Sequence, residues 1–250
     1  MQIILLLIGS FIIFILSTLT GGGASLLLMP LVAAVVGVKA VAPVMAISIG
    51  MSSTSKVFFF FKYIDWKLFA WLFPSTIVGS IIGAKMFAEL SSDYLQVLIG
   101  ILLVSTVFQF NKTEKRTGFK VKAWHFAPMG LVVAFLSGLI GGVGPLMNSA
   151  YLNYGISKES LLGTRSANAI LLHLTKIISY AYFGYATGEV LKFGILIGIS
   201  SMVAVYFGKL ILNKMSELIF RKIVVVSMVL SGVLMLWKNR DFISEMVALI

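Results

Sequence analysis

The sequence predicts an all-α, polytopic membrane protein of two repeat-related, inverted halves, each with a glycine-broken first helical element. Three observations carry this reading. Charged residues make up 12% of the 250-residue chain and hydrophobic residues 59%, whereas a soluble domain needs roughly a quarter of its residues charged. No charged side chain occurs in residues 1–38 or 126–157, and apolar runs of about 18 or more read as membrane helices. Finally, "LSTLTGGG" (16–23) returns as "LSGLIGGV" (136–143), 120 positions later. Mean hydropathy is +1.03.

The apolar segments fall, in order, at 3–20, 24–38, 40–61, 67–88, 93–110, 126–141, 145–156, 160–184, 189–212 and 217–237. Most are long enough to span a hydrocarbon core of about 30 Å at about 1.5 Å per residue. The pieces at 24–38 and 145–156 are short and read as half-helices or re-entrant elements. The first segment lacks a basic leader and runs into further membrane sequence, which argues against a signal peptide. Further echoes keep the same order: "SKV" (55–57) with "TKI" (175–177), "GSIIGAK" (79–85) with "VAVYFGK" (203–209), and "YLQVLIGILLV" (94–104) with "FRKIVVVSMVL" (220–230). The division expected is a first half at 1–110, a basic linker at 111–124, a second half at 125–237 and a tail at 238–250. Duplicated halves are a common plan of secondary transporters.

Charge fixes the orientation. The net charge of +11 sits largely in short loops such as "NKTEKRTGFKVK" (111–122), the positive-inside pattern rather than a nucleic-acid surface. That loop is expected to be cytoplasmic, as are 61–67 with Lys62 and Lys67, and the basic stretch 209–222. The last holds if 126–156 makes an even number of crossings, and the halves are then inverted.

The glycine clusters at 21–23 and 141–144 interrupt apolar runs too long for one straight span. Glycine tolerates unusual backbone angles, and broken backbone survives in a membrane only where protein or a wet cavity covers it. The half-helix after each break would aim its free N–H groups at an anion, and Pro145 suits its first turn. Close helix packing by small residues is the competing explanation. Gly22, Gly23, Gly142 and Gly144 are the backbone donors expected at the site.

Lys56 and Lys176 lie inside apolar segments. Snorkelling to the interface explains Lys56 as well as a buried site does. Lys176 is deeper, roughly 12 Å from its segment's end at 1.5 Å per residue, and intramembrane cations usually mark a pathway or partner. Each follows a hydroxyl, Ser55 or Thr175, at repeat-related positions, so the pair suggests one anion site between the halves. Arg165 is either a third cation or a helix-start residue at the cytoplasmic surface. Ser52, Ser53, Thr54, Thr164, Asn148 and Asn168 offer hydrogen bonds to an oxyanion, or satisfy neighbouring helices. His173 is a packing residue or a proton relay.

Asp65, Glu89, Asp93 and Glu189 lie at segment ends, so the usual acidic carrier of protons or sodium ions is missing. The chain has no cysteine and two histidines, with no metal-ligand spacing and no Ser–His–Asp grouping in evidence. No enzyme, metal or cofactor is expected.

The glycine cluster with "TGGGASLLLMP" and Pro30, "IDW" with Asp65 and Trp66, "GLIGGVGP", and "GT" at Gly163 and Thr164 together resemble the TauE/SafE sulfite exporter family, also called toluene sulfonate uptake permeases. The resemblance covers nearly the whole chain. It implies a plasma-membrane, multi-pass transporter of sulfite, sulfonates or related organic anions with about eight membrane segments. That agrees with ten apolar pieces if the short ones are not full spans. One departure is "APVMAIS" (42–48), where family members often read Ala-Thr-Ser. The partners expected are a small anionic substrate and the lipid bilayer, with no nucleic acid; a homo-oligomer is left open. The mechanism expected is export by alternating access between the halves. A channel for anions or small solutes, proton-coupled uptake through His173, and a membrane-embedded enzyme or assembly factor are the alternatives.

Overall fold

A computed structural model describes residues 2–22, 24–37, 40–86, 121–140, 144–238 and 240–241. Gly23, Gly142, the loop at 111–120, the segment at 93–110, Glu89, Asp93 and most of the tail lie outside them. Among the described residues all regular structure is helical. We number the helices α1 (Gln2–Leu19), α2 (Ala24–Val36), α3 (Val41–Phe60), α4 (Trp66–Met86), α5 (Phe126–Ile140), α6 (Asn148–Tyr154), α7 (Lys158–Tyr182), α8 (Gly188–Asn213) and α9 (Glu217–Lys238).

Three stretches among these residues are long and apolar enough to cross a membrane: Val41–Tyr63, Trp66–Met86 and Gly188–Asn213. Along α1, Ile4, Ile8, Ile12 and Leu16 are all exposed, from 44% to 61%. Residues four apart share one helix face, so α1 turns a continuous aliphatic stripe outward. A water-facing surface rarely tolerates such a patch; hydrocarbon does. Trp66 and Trp124, also exposed, sit at helix starts, the place of interfacial aromatic belts.

Packing runs mainly between the two parts of the chain. α4 lies along α5, α3 packs on both α7 and α8, α1 packs on α8, and α4 also meets α7. Glycine allows the closest approach. A side chain at Gly79 or Gly83 would strike the carbonyls of Leu131 or Phe135, and Gly138 faces Gly83 in return. This is the small-residue packing of membrane helices, where backbones meet for want of a hydrophobic drive between apolar surfaces. Two apolar clusters result. One joins Phe14, Leu28, Met45 and Ile197; the other joins Phe60, Leu72, Phe126, Tyr151 and Leu161.

One end of the bundle is basic. The turn after α3 carries Lys62, α4 opens with Lys67 in its first turn, and the Asp65 amide between them donates to Thr164 Oγ1 near the start of α7, at 2.8 Å. Asp65 also accepts from the amides of Lys67 and Leu68 at 3.0 and 3.1 Å, satisfying two of the orphan donors that open α4. Gly163 packs against the Phe60 carbonyl. Lys158, at the start of α7, donates to the carbonyls of Leu212 at the end of α8 and of Met215 just beyond it. Lys67 and Lys122 line one shallow pocket there. The end of α3, the start of α4, the start of α7 and the end of α8 therefore share this face.

Candidate anion site

α1 ends at Leu19 and α2 begins at Ala24. Between them Gly21 and Gly22 have φ of 67° and 120°, angles that L side chains rarely adopt. The Gly22 amide donates back to the Ser17 carbonyl at 2.7 Å, and Thr20 Oγ1 donates to the Gly22 carbonyl at 2.5 Å. The turn therefore satisfies part of its own backbone inside an apolar run.

Beside this turn is a cavity of about 100 Å³, roomy enough for several waters, each of which needs on the order of 10–15 Å³ of such space. Its charged lining is Lys56 from α3 and Arg165 from α7, and among the described residues no carboxylate lines it. Lys56 is 7% exposed. Ser17, Ser53, Ser166, Asn168 and His173 supply polar groups to the wall, with Ala24 and Ser25 at the start of α2. From α7 only 162–173 contribute, so the cavity lies toward the basic end of that helix.

Arg165 holds the site together. It donates to Asn148 Oδ1 at 2.8 Å, and Asn148 Nδ2 donates to the Thr20 carbonyl at 3.3 Å. Its guanidinium also fills the space that a side chain at Gly22 would need. The first glycine turn, the start of α6 and α7 are thus tied by a relay of two hydrogen bonds through Asn148.

The residues expected at the site divide. Lys56, Gly22, Arg165, Asn168, Ser53 and His173 reach the cavity, and Asn148 reaches it through Arg165. Asn168 Oδ1 accepts from Thr76 Oγ1 at 2.8 Å. Lys176 is fully buried, does not line the cavity, and donates to the Ser137 carbonyl at 2.8 Å and Ser137 Oγ at 3.4 Å. The Tyr180 hydroxyl donates to the adjoining Gly138 carbonyl at 2.9 Å. Ser55 donates to the Met202 carbonyl at 3.3 Å, Thr175 to the Leu171 carbonyl at 2.9 Å and Thr54 to the Gly50 carbonyl at 3.1 Å. Thr164 is engaged by the Asp65 turn. Ser52 Oγ and His173 Nδ1 are buried with no partner among the described residues. Gly144 opens a single 3-10 turn, Gly144–Met147, ahead of α6. Ser17, Ser137 and Tyr151 also line the cavity and were not singled out from sequence. The two serines occupy the same place in "LSTL" and "LSGL", and that identity was their signal.

A helical bundle with an aliphatic stripe facing outward and two cations on an internal cavity is a membrane protein with an internal charged site. The family model described as Sulfite exporter TauE/SafE matches residues 5–235, and the chain belongs to that family. It is a family of membrane transporters rather than enzymes. No curated protein and no solved structure matches the chain.

Proposed function

We propose that this protein exports a small sulfur-containing oxyanion, sulfite or an organosulfonate, across the plasma membrane by alternating access between two inverted halves. The observation that carries the reading is the cavity where Lys56 and Arg165 meet without a carboxylate among the described lining residues. Uncompensated charge is costly in a low-dielectric interior, so two cations on one cavity favour an anionic ligand. The start of α2 adds unpaired amides, and Asn168, Ser53 and Ser166 add neutral donors. The basic end, by the positive-inside rule, is cytoplasmic, and the cavity near it is a loading site. An anion bound there leaves a negative-inside cell downhill, by about 2.3 kcal/mol per 100 mV per charge.

The packing supports duplicated halves. An offset of 120 pairs α1 with α5, α3 with α7 and α4 with α8. Exchanging partners turns the α4–α5 contact into α8–α1 and the α3–α8 contact into α7–α4, and both members of each exchange are major contacts. α3 ends at the basic face while α7 begins there, which favours inversion. The cavity itself is lined by the offset pairs Ser17 with Ser137, Ile49 with Ala169, and Ser53 with His173, as expected of a site on the axis between halves. The glycine turn at 21–22 would serve as one hinge, with the glycines at 141–144 as the counterpart expected in the second half.

A thermal-shift screen of purified protein against sulfite, thiosulfate, sulfoacetate, taurine and simple carboxylates tests the reading. A sulfur oxyanion should stabilise the wild type and act far less on Lys56→Ala. Equal stabilisation of both would overturn the site. His173 Nδ1, buried with no partner among the described residues, favours one second reading, proton-coupled uptake. That reading requires accumulation driven by an imposed pH gradient and lost in His173→Ala.

A further inference from the structure

Lys56 and Lys176 are repeat-related, yet they are not in equivalent states. Lys176 is docked, its ammonium on the Ser137 carbonyl at 2.8 Å and Ser137 Oγ at 3.4 Å. Lys56 has no hydrogen-bond or ion-pair partner among the described residues and lines the cavity instead. The offset that relates Lys56 to Lys176 relates Ser17 to Ser137. Ser17 edges the same cavity as Lys56, and its carbonyl is held by the Gly22 amide at 2.7 Å. Each half therefore contains a lysine and a serine carbonyl one helix away, and only the second half has closed its pair.

Two inverted halves that differ in this way are one arrangement of a two-state device. Its mirror arrangement exchanges the roles of the halves. We propose that Lys56 and Lys176 take turns as the ammonium ligand of the transported anion. In the present, cytoplasm-facing arrangement Lys56 serves the cavity and Lys176 is latched on Ser137. In the outward-facing arrangement Lys56 latches on the Ser17 carbonyl, displacing the Gly22 amide, and Lys176 turns to an outer cavity. The depth of the residues fits this exchange. Lys56 lies near the end of α3 at the basic face, and Lys176 lies near the end of α7 that points away from it. The latch also reaches the hinge, because the carbonyl that Lys56 would take is the one that now fixes Gly22. This inference rests on the transport reading above, and it assigns a binding role to Lys176 that its present buried position conceals.

The two lysines then stabilise opposite states, a behaviour that two ordinary ligand lysines would not show. The chain has no cysteine, so single thiols can report which side is open. Leu172 lines the present cavity and is half-buried, whereas its repeat partner Ser52 is buried, 1% exposed, and does not line it. The experiment labels Leu172→Cys or Ser52→Cys with a membrane-impermeant thiol reagent, from each side of oriented vesicles, without added anion. Lys176→Met removes the present latch. It should raise outside labelling of Ser52→Cys and lower cytoplasmic labelling of Leu172→Cys, each by about tenfold, the value of one charge-assisted hydrogen bond. Lys56→Met removes the opposite latch and should do the reverse. If Lys176→Met does not fold, Lys176→Gln replaces it, and Lys56→Met, which breaks no bond among the described residues, carries the test alone. Shifts in the same direction, or none for a folded Lys56→Met, overturn the exchange. Because no anion is present, opposite shifts in a protein that binds no sulfite would sink the substrate and leave the latch standing.

Discussion

A methyl group on Gly22 would enter the space held by the Arg165 guanidinium, at a φ of 120°. Backbone strain of that kind costs about 1–3 kcal/mol, and the collision adds to it. Gly22→Ala should therefore lower the Tm of the purified protein and abolish stabilisation by the anion; a variant with unchanged Tm and ligand shift would show that the turn is not built around Arg165. Arg165→Lys keeps the charge but loses the planar fork that reaches Asn148. It should weaken anion binding by about tenfold, the order expected for one charge-assisted hydrogen bond, measured by isothermal titration. At this scale sequence reasoning had mixed reach. Burial of a cation in an apolar helix was visible for Lys56 and Lys176. Which of them faced the cavity was not, because that depends on a carbonyl of Ser137 contributed by another helix. Arg165 stands only eight residues into α7, where a surface position and a buried one look alike in sequence. Thr164 and Ser55 illustrate the general difficulty: a hydroxyl in a membrane helix can accept from a distant amide, as Thr164 does from Asp65, or donate to a carbonyl of another helix, as Ser55 does to Met202.

Between elements, glycine has two separable uses. In α4 and α5, Gly79, Gly83 and Gly138 let helix backbones touch. At 21–22 glycine permits a turn. The sequence offered both explanations for the clusters at 21–23 and 141–144; the close packing is seen at Gly79, Gly83 and Gly138, which were not singled out for it. Gly83→Ala places a methyl group against the Phe135 carbonyl and Gly83→Leu places far more. Overpacking costs about 1–3 kcal/mol, so Tm should fall for the first and further for the second; in neither does the site lose a ligand. The loop tie is milder. Thr164→Val removes the acceptor of the Asp65 amide and should cost about 1 kcal/mol, the usual worth of one hydrogen bond, read as reduced thermal stability. Unchanged stability would show that the "IDW" and "GT" stretches do not brace one another. α2 was legible as a short piece because it follows a glycine cluster. The seven residues of α6 were not separable from their preceding turn by periodicity alone, since one and a half turns show no helical repeat.

For the whole molecule, membrane character was legible from composition, because hydrocarbon requires apolar surface where water requires charge. The pairing of α4 with α5 and of α1 with α8 was not, because no local pattern states which helices meet. Under the duplication proposed above, in which α1 corresponds to α5 and α4 to α8, either contact implies the other. The proposed transport turns on an anion passing a cavity charged by Lys56 and Arg165, drawn by the membrane potential. The direct measurement is efflux of sulfite from proteoliposomes under an imposed potassium-diffusion potential, for wild type and Lys56→Ala. Efflux from the wild type should saturate with sulfite and quicken as the interior is made negative, and Lys56→Ala should lose most of it. Wild-type efflux indifferent to the potential, or a variant that carries sulfite as fast as the wild type, would contradict the claim.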